Sequence, residues 1–242
     1  MPREILTVML AALALMAPLS LLPFFEHYQG TPHQIAAIKE LEDAIPDELL
    51  ARSASWFETW KVTGKFQRLS VPYFSQHDNE SGQGVRECFS SAAAMLAAFY
   101  GVVGSDDQYN RNRERFGDTT SVNAQIDTLR DYGLRAVFFS HGSPSMLFDL
   151  LDQGRPVAVG ILAKGDFSKG QQPWGPGHWV VVVGYTLDSL TIHDPNGLPD
   201  MHRGTHEKKL SGSHVRVDRG DFEKRWLIEG PGSGWMIVIN DG

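Results

Sequence analysis

The spacing of apolar residues changes twice along the chain. Residues 5–25 contain no charged side chain, and this run of 21 residues is long enough to cross a bilayer as a helix. Residues 31–65 carry apolar side chains at helical spacing, and Pro46 separates two predicted helices. These patterns predict three regions: an apolar N-terminal segment at 1–30, a helical lead-in at 31–66 and a main domain at 67–242.

The apolar segment has three interpretations, and the sequence leaves all of them open. Its length suits an uncleaved membrane anchor. An Ala12-x-Ala14 pair is typical of a cleaved secretory signal, although Pro18 and Pro23 interrupt the run. The third interpretation is an apolar arm that packs on a partner or on the domain itself.

In the main domain, helical patterns come first and strands follow, which predicts an α+β fold. Alternation at Arg68–Gln76 predicts a short opening strand, and a polar, glycine-rich loop follows it. The predicted helices are Cys88–Tyr100, Ser121–Tyr132 and Ser143–Gln153, and the predicted later strands are Pro156–Leu162, Trp179–Tyr185, Ser189–His193 and Trp235–Ile239.

Composition narrows the classes of function. The 242 residues carry a formal net charge of −7, which argues against a nucleic-acid partner because no basic surplus remains to neutralise phosphates. The lysines and arginines are scattered, so no polybasic membrane patch is predicted. The single cysteine, Cys88, excludes an intramolecular disulfide and a cysteine-based zinc site.

Cys88 begins the predicted Ala-rich helix, and that position suits a nucleophile. The first backbone N–H groups of a helix are unpaired and favour negative charge, so they stabilise a thiolate and can hold an oxyanion. A cysteine nucleophile needs a base, and His178 lies in a glycine-rich turn directly before a hydrophobic strand. Asp194 ends the next strand. If the two strands form a hairpin through Leu187-Asp188, the carboxylate can bond the imidazole and set its tautomer.

Four blocks in this order resemble the papain-like peptidases related to the bacteriocin double-glycine leader peptidases. The resemblance covers about residues 71–242, and its blocks are Val71–Gln76, Cys88–Gly101, Gly177–Tyr185 and Asp194–Gly197.

The resemblance implies a papain-like fold in which N-terminal helices pack against an antiparallel sheet. We expect no cofactor and no metal. It implies a catalytic triad of Cys88, His178 and Asp194, with Gln76 completing the oxyanion hole. The sequence departs from the family in the long loop at 78–87 and in Phe89-Ser90-Ser91 after the cysteine. The first departure bears on the placement of Gln76, and the second on access beside the nucleophile.

Two further runs, Arg86–Ser91 and Gly230–Trp235, are similar to peptidase-like proteins of bacteriophages, notably those of cyanobacteria. That resemblance implies a lytic endopeptidase acting on the cross-link peptides of peptidoglycan. The alternative is a virion structural or attachment protein with or without peptidase activity, and a transferase or deamidase could use the same triad. The N-terminal segment would then contact a membrane or a virion subunit, which leaves the localisation open between membrane-associated, exported and virion-associated.

Two clusters of polar residues have weaker interpretations. His202-x-x-x-His206 has a spacing found in metal sites, but its loop-rich surroundings do not aim both rings at one point, so we expect no metal there. Asp78, Glu80 and Glu87 near the nucleophile either select a basic substrate group or form a solvated loop face.

Overall fold

The structure is a computed structural model, and it describes residues 68–240. The predictions for the apolar segment at 1–30 and for the lead-in at 31–66 therefore lie outside the described residues. Within residues 68–240 the helices are α1 (Cys88–Phe99), α2 (Asp106–Arg113), α3 (Val122–Asp131), α4 (Pro144–Asp152) and α5 (Arg219–Trp226). The strands are β1 (Ala136–Gly142), β2 (Val157–Lys164), β3 (Trp174–Tyr185), β4 (Ser189–His193), β5 (Leu198–Asp200), β6 (Thr205–Glu207), β7 (Val215–Asp218) and β8 (Gly234–Ile239).

Six strands form one sheet in the order β1-β8-β2-β3-β4-β7, and every neighbouring pair is antiparallel. The strands β5 and β6 form a separate two-stranded antiparallel sheet. The mixed helical and antiparallel architecture predicted from the sequence is confirmed. The order of elements differs from the prediction, because β1 lies among the helices in chain order rather than after them, and α2, α5, β1, β5, β6 and β7 were not predicted.

Helix α1 is the central helix of the fold. Most of its residues are apolar, and the whole stretch Phe89–Ala97 is buried, as expected for a helix that packs inside a core. Its alanines let it approach β3 closely, and the Phe89 ring stacks on the Trp179 ring with centroids 3.8 Å apart. Gly101, with φ of +74°, ends the helix in the left-handed conformation that glycine adopts without strain. The packing fixes the position of Cys88 at the start of the helix.

The segment Arg68–Gln76 is not a strand of either sheet within the described residues. Its alternating pattern was therefore misleading about pairing, although single hydrogen bonds attach the segment to the sheet. The Leu69 N–H donates to the Val183 carbonyl at 2.8 Å, and the His193 ring bonds the Val71 carbonyl at 2.9 Å. These contacts hold the segment beside β3 and β4 without a regular ladder.

Two predicted helix starts, at Ser121 and Ser143, are confirmed by N-capping hydrogen bonds. The Ser121 side chain accepts a hydrogen bond from the Ala124 N–H, and the Ser143 side chain accepts one from the Met146 N–H. Across residues 68–240, no helix combines the length and apolar character that a membrane span requires.

Candidate active site

Cys88 is the first residue of α1, and its partly buried side chain lies close enough to the His178 imidazole to interact with it electrostatically. The backbone N–H of Trp179 also favours the ionised form of the thiol and contributes to the lowering of its pKa. Burial opposes ionisation of the thiol, but the interaction with His178 outweighs it and lowers the pKa of Cys88. The position therefore favours a thiolate.

His178 lies in β3 opposite Ile161 of β2 and is 5% exposed. Its Nε2 atom is 2.7 Å from Oδ1 of Asp194, which leaves Nδ1 as the ring nitrogen available to the thiol. Burial disfavours the imidazolium, but the Asp194 carboxylate and Cys88 together raise the pKa of His178. The ring is thus held between a thiol and a carboxylate.

Asp194 is completely buried and follows β4, at the end of the hairpin where β3 begins. Its carboxylate accepts hydrogen bonds from three donors, which are His178, His206 and the backbone N–H of Asn196 at 2.8 Å. Burial opposes the charge, yet the two imidazoles lower the pKa of Asp194 well below its usual range. The hairpin geometry expected from the sequence places this carboxylate against the His178 ring.

The backbone of Asp194 is also held closely. Its N–H donates to the Gly212 carbonyl at 2.9 Å, and its carbonyl accepts from the Tyr73 hydroxyl at 3.1 Å. A Cβ atom on residue 212 would overlap the Asp194 carbonyl oxygen, so glycine is needed there. No sequence pattern indicates Gly212 or Tyr73 as contacts of Asp194.

His206 is a further residue of the site that the sequence reading did not identify. It lies in β6, and its Nε2 atom is 2.9 Å from Oδ2 of Asp194. His202, four residues earlier, instead bonds Asp221 at 2.8 Å. The two histidines of the His-x-x-x-His pattern therefore bond different carboxylates. The His-x-x-x-His spacing itself gave no sign of the contact with Asp194.

His178, Asp194 and His206 form the single cluster within residues 68–240 whose ligand atoms, all within 4.8 Å of one another, could meet one metal ion. Imidazole nitrogens and carboxylate oxygens are zinc ligands in other proteins. Both imidazoles already use Nε2 to bond the carboxylate. The hydrogen bonds therefore account for the cluster without an ion.

Gln76 is buried next to the turn that carries Asp194. Its backbone N–H donates to the Pro195 carbonyl at 2.9 Å, and its side-chain Nε2 donates to the Gly84 carbonyl at 2.6 Å. Its Oε1 is buried without a hydrogen-bond partner among the described residues. The amide that the resemblance assigns to the oxyanion hole is thus held by the long loop before the nucleophile.

The loop at 77–87 is folded around a buried carboxylate. Glu87, which precedes the nucleophile, is 2% exposed and accepts hydrogen bonds from Asn79 at 2.8 Å and Ser81 at 2.7 Å. Glu87 is not part of a solvated loop face, because its carboxylate is buried and bonded within the loop. Asp78 and Glu80 are exposed, and Glu80 pairs with Arg111.

A second buried carboxylate lies beside the first turn of α1. Ser91 donates to Asp106 at 2.9 Å, and Asp106 is 6% exposed. Burial raises the pKa of Asp106 to about 6, although the Ser91 hydrogen bond opposes the shift. This carboxylate has neutral partners, unlike Asp194.

Comparison with known proteins identifies the family. The model of the Peptidase_C39 like family matches residues 68–232. The chain belongs to this family. Among solved structures, the C39-like chain resembles a candidate C39-like peptidase from Bacillus anthracis, with a TM-score of 0.52 and 19% identity over 74% of this chain and 99% of that one. At this identity the likeness shows the fold.

Two further structures align with the C39-like chain at lower TM-scores. The peptidase domain of Streptococcus ComA, a bi-functional ABC transporter, has a TM-score of 0.44 and 19% identity over 73% of this chain and 99% of that one. A double glycine motif protease from an AMS/PCAT transporter, in complex with its leader peptide, has a TM-score of 0.42 and 17% identity over 72% and 94%. No curated protein matches the chain significantly.

Proposed function

We propose that this C39-like chain is a cysteine peptidase that cleaves a peptide bond by acyl transfer to Cys88. His178 acts as the base, and Asp194 orients the imidazole. The observation that carries the proposal is the buried His178 ring, which bonds the Asp194 carboxylate at 2.7 Å and lowers the pKa of the neighbouring Cys88 thiol. Membership of the C39-like family supports the same reaction.

The reaction follows from the positions of these groups. The Cys88 thiolate forms an S–C bond with the carbonyl carbon of the substrate, and the negative charge moves to the carbonyl oxygen. The backbone N–H of Cys88 and the side chain of Gln76 are the proposed donors to this oxyanion. His178 gives its proton to the leaving amine as the C–N bond breaks. It then removes a proton from the water that hydrolyses the thioester, which restores the free enzyme.

The proposed substrate is a peptide, and the finer hypothesis is a cross-link peptide of bacterial peptidoglycan cleaved by a phage lytic endopeptidase. This finer hypothesis rests on the resemblance of Arg86–Ser91 and Gly230–Trp235 to phage peptidase-like proteins. In this hypothesis the apolar segment at 1–30 delivers the enzyme to the membrane or to a virion subunit.

The proposal is tested by mass spectrometry of peptide libraries and peptidoglycan digests after incubation with the full chain or with Cys88→Ala. We expect new amine termini with the wild-type chain and none with the variant. Cleavage by both proteins, or by neither, would contradict the proposal. Release of amine from cross-link peptides in preference to library peptides would support the peptidoglycan hypothesis.

A non-catalytic virion role is the second candidate, and one observation favours it. The Gln76 amide already bonds the Gly84 carbonyl, so one of its two N–H groups is unavailable to an oxyanion. A structural protein would tolerate this arrangement. Co-purification with virions in many copies, together with a Cys88 thiol of ordinary reactivity, would support the structural role over the enzymatic one.

A further inference from the structure

His206 contacts the candidate triad, and the proposed mechanism gives it no role. Its side chain is 10% exposed, and its Nε2 atom lies 2.9 Å from Asp194, which has no exposed surface. The His206 ring also meets the His178 ring edge-on, with centroids 5.2 Å apart and planes at 81°. His206 therefore contacts both His178 and Asp194, the two residues proposed to activate Cys88.

The chemistry of the contact sets the direction of the hydrogen bond. An ionised carboxylate only accepts, so His206 must carry its proton on Nε2 and donate to Oδ2. The other oxygen, Oδ1, accepts from His178 and from the Asn196 N–H. With donors on both oxygens, the carboxylate cannot rotate about its Cβ–Cγ bond without breaking a hydrogen bond in a dry site, where this is costly.

The local fold brings His206 to this position. The chain leaves Asp194, turns at Gly197 with φ of +105°, and returns through the two-stranded sheet in which His206 pairs with Pro199. A Cβ atom on residue 197 would crowd the Glu207 carbonyl oxygen, so the tight return depends on glycine. The small sheet thus returns the chain to the carboxylate that precedes it.

We propose that His206 is a positioning residue, which holds the Asp194 carboxylate in the orientation that supports the His178 imidazolium and so maintains the Cys88 thiolate. This inference deepens the proposed function and rests on it. A merely structural role would give His206 an effect on folding stability alone. A positioning role also requires an effect on the pH dependence of Cys88 reactivity.

Two variants separate the hydrogen bond of His206 from its ring packing. His206→Phe keeps a ring against His178 but has no donor, and His206→Gln keeps an N–H donor at similar reach but has no ring. His202→Ala is the matched control, because His202 bonds Asp221 on an exposed surface. The rate of alkylation of Cys88 by iodoacetamide is measured in the full chain across pH 4–9, with thermal melting recorded for each variant.

We expect His206→Phe to slow alkylation at pH 6.5 about tenfold and to move the midpoint of the pH–rate curve up towards the free-thiol value of about 8.5. His206→Gln should retain most of the wild-type rate, and His202→Ala all of it. If the phenylalanine variant does not fold, His206→Ala carries the same expectation.

A wild-type pH–rate curve in His206→Phe, even with a lower melting temperature, would overturn the positioning role and leave the proposed function intact. Failure of the proposed function has a different signature. In that case wild type and His178→Ala would both react as free thiols, which would overturn the role of His206 as well.

Discussion

The candidate site has two sides that bury carboxylates in opposite ways. On the sheet side, Asp194 is bonded by two imidazoles, and its pKa is lowered. On the loop side, Glu87 and Asp106 are bonded by neutral amide and hydroxyl groups. Burial without a cationic partner raises the pKa of Asp106 to about 6.

The different partners of these carboxylates suit different roles, which are support of the proposed catalytic residues for Asp194 and stabilisation of the loop and helix for Glu87 and Asp106. A carboxylate that remains ionised can stabilise an imidazolium and therefore a thiolate. The buried carboxylate of Asp106 is bonded by a hydroxyl group instead of an imidazole, so its charge stabilises no imidazolium. Its hydrogen bond with Ser91 instead joins α2 to α1. In the proposed mechanism the sheet side supports the reactivity of Cys88. The loop side holds the Gln76 side chain through the Gly84 carbonyl.

The largest effect on Cys88 reactivity is expected from Asp194→Asn, which removes the charged carboxylate of the sheet side. Asparagine is uncharged and has an NH2 donor in place of one acceptor oxygen, so it cannot accept from both imidazoles in their present positions or stabilise the His178 imidazolium. We expect alkylation of Cys88 at pH 6.5 to slow by at least about a hundredfold. Asp221→Asn is the matched control, because Asp221 also accepts from a histidine. Equal losses in both variants, or no loss in either, would contradict the account.

A smaller effect on peptide cleavage is expected from Gly84→Ala, which disturbs the loop that bonds the Gln76 amide. A Cβ at residue 84 would overlap the Gln76 carbonyl, so the loop must shift and release the Gln76 amide. We expect about 1–3 kcal/mol lower free energy of unfolding in urea denaturation, and about tenfold slower peptide cleavage from the disturbed oxyanion donor.

Val85→Ala is the control for this loop, because Val85 is 75% exposed and its loss should change neither quantity. Unchanged peptide cleavage in a destabilised Gly84→Ala variant would show that Gln76 has no part in the reaction.

The smallest effect is expected from Asp106→Asn, and its sign depends on pH. The folded protein holds the Asp106 proton up to a pKa of about 6, above the usual value of 3.8. The folded state thus binds this proton more tightly than the unfolded state, so its contribution to stability increases as the pH falls from above 6 towards 4. Removing the charge should raise the free energy of unfolding at pH 7.5 by about 1 kcal/mol and flatten the pH dependence between 4 and 6.

The matched control for Asp106→Asn is Asp118→Asn. Asp118 is exposed, and hydrogen bonds from Thr120 and the charge of Arg86 lower its pKa to about 2. The stability that Asp118 contributes is present above the usual aspartate range and is lost as the pH falls towards 2, so its removal should destabilise the protein at neutral pH. The same sign for both variants in urea denaturation would contradict this part of the comparison.

Much of the sheet side could be predicted from the sequence because its signals are local. The Ala-rich run after Cys88 predicts a buried helix, and the hairpin between two apolar strands predicts that His178 and Asp194 meet. Helix α2 was missed because its side chains show no apolar period. The caps were nevertheless visible, with Ser105 before it, Asp106 in the first turn and arginines in the last turn.

The remaining parts of the site depend on tertiary contacts that no local pattern reveals. The strands β5 and β6 have three residues each, so their pairing and the return of His206 to Asp194 have no periodic signal. The resemblance predicts a role for Gln76 in the oxyanion hole. It does not predict the hydrogen bond from the Gln76 amide to Gly84, because Gly84 lies in the loop that departs from the family pattern. Close approaches at Gly84 and Gly212 likewise appear only in three dimensions.

The most direct test of the central claim is an ultraviolet titration of the Cys88 thiolate. The chain has one cysteine, so the difference in thiolate absorbance between wild type and Cys88→Ala belongs to this group alone. The account predicts that the thiolate persists well below pH 8 in wild type, and that His178→Ala moves its titration up towards about 8.5. A titration near the free-thiol value in both proteins would contradict the proposed thiolate–imidazolium pair.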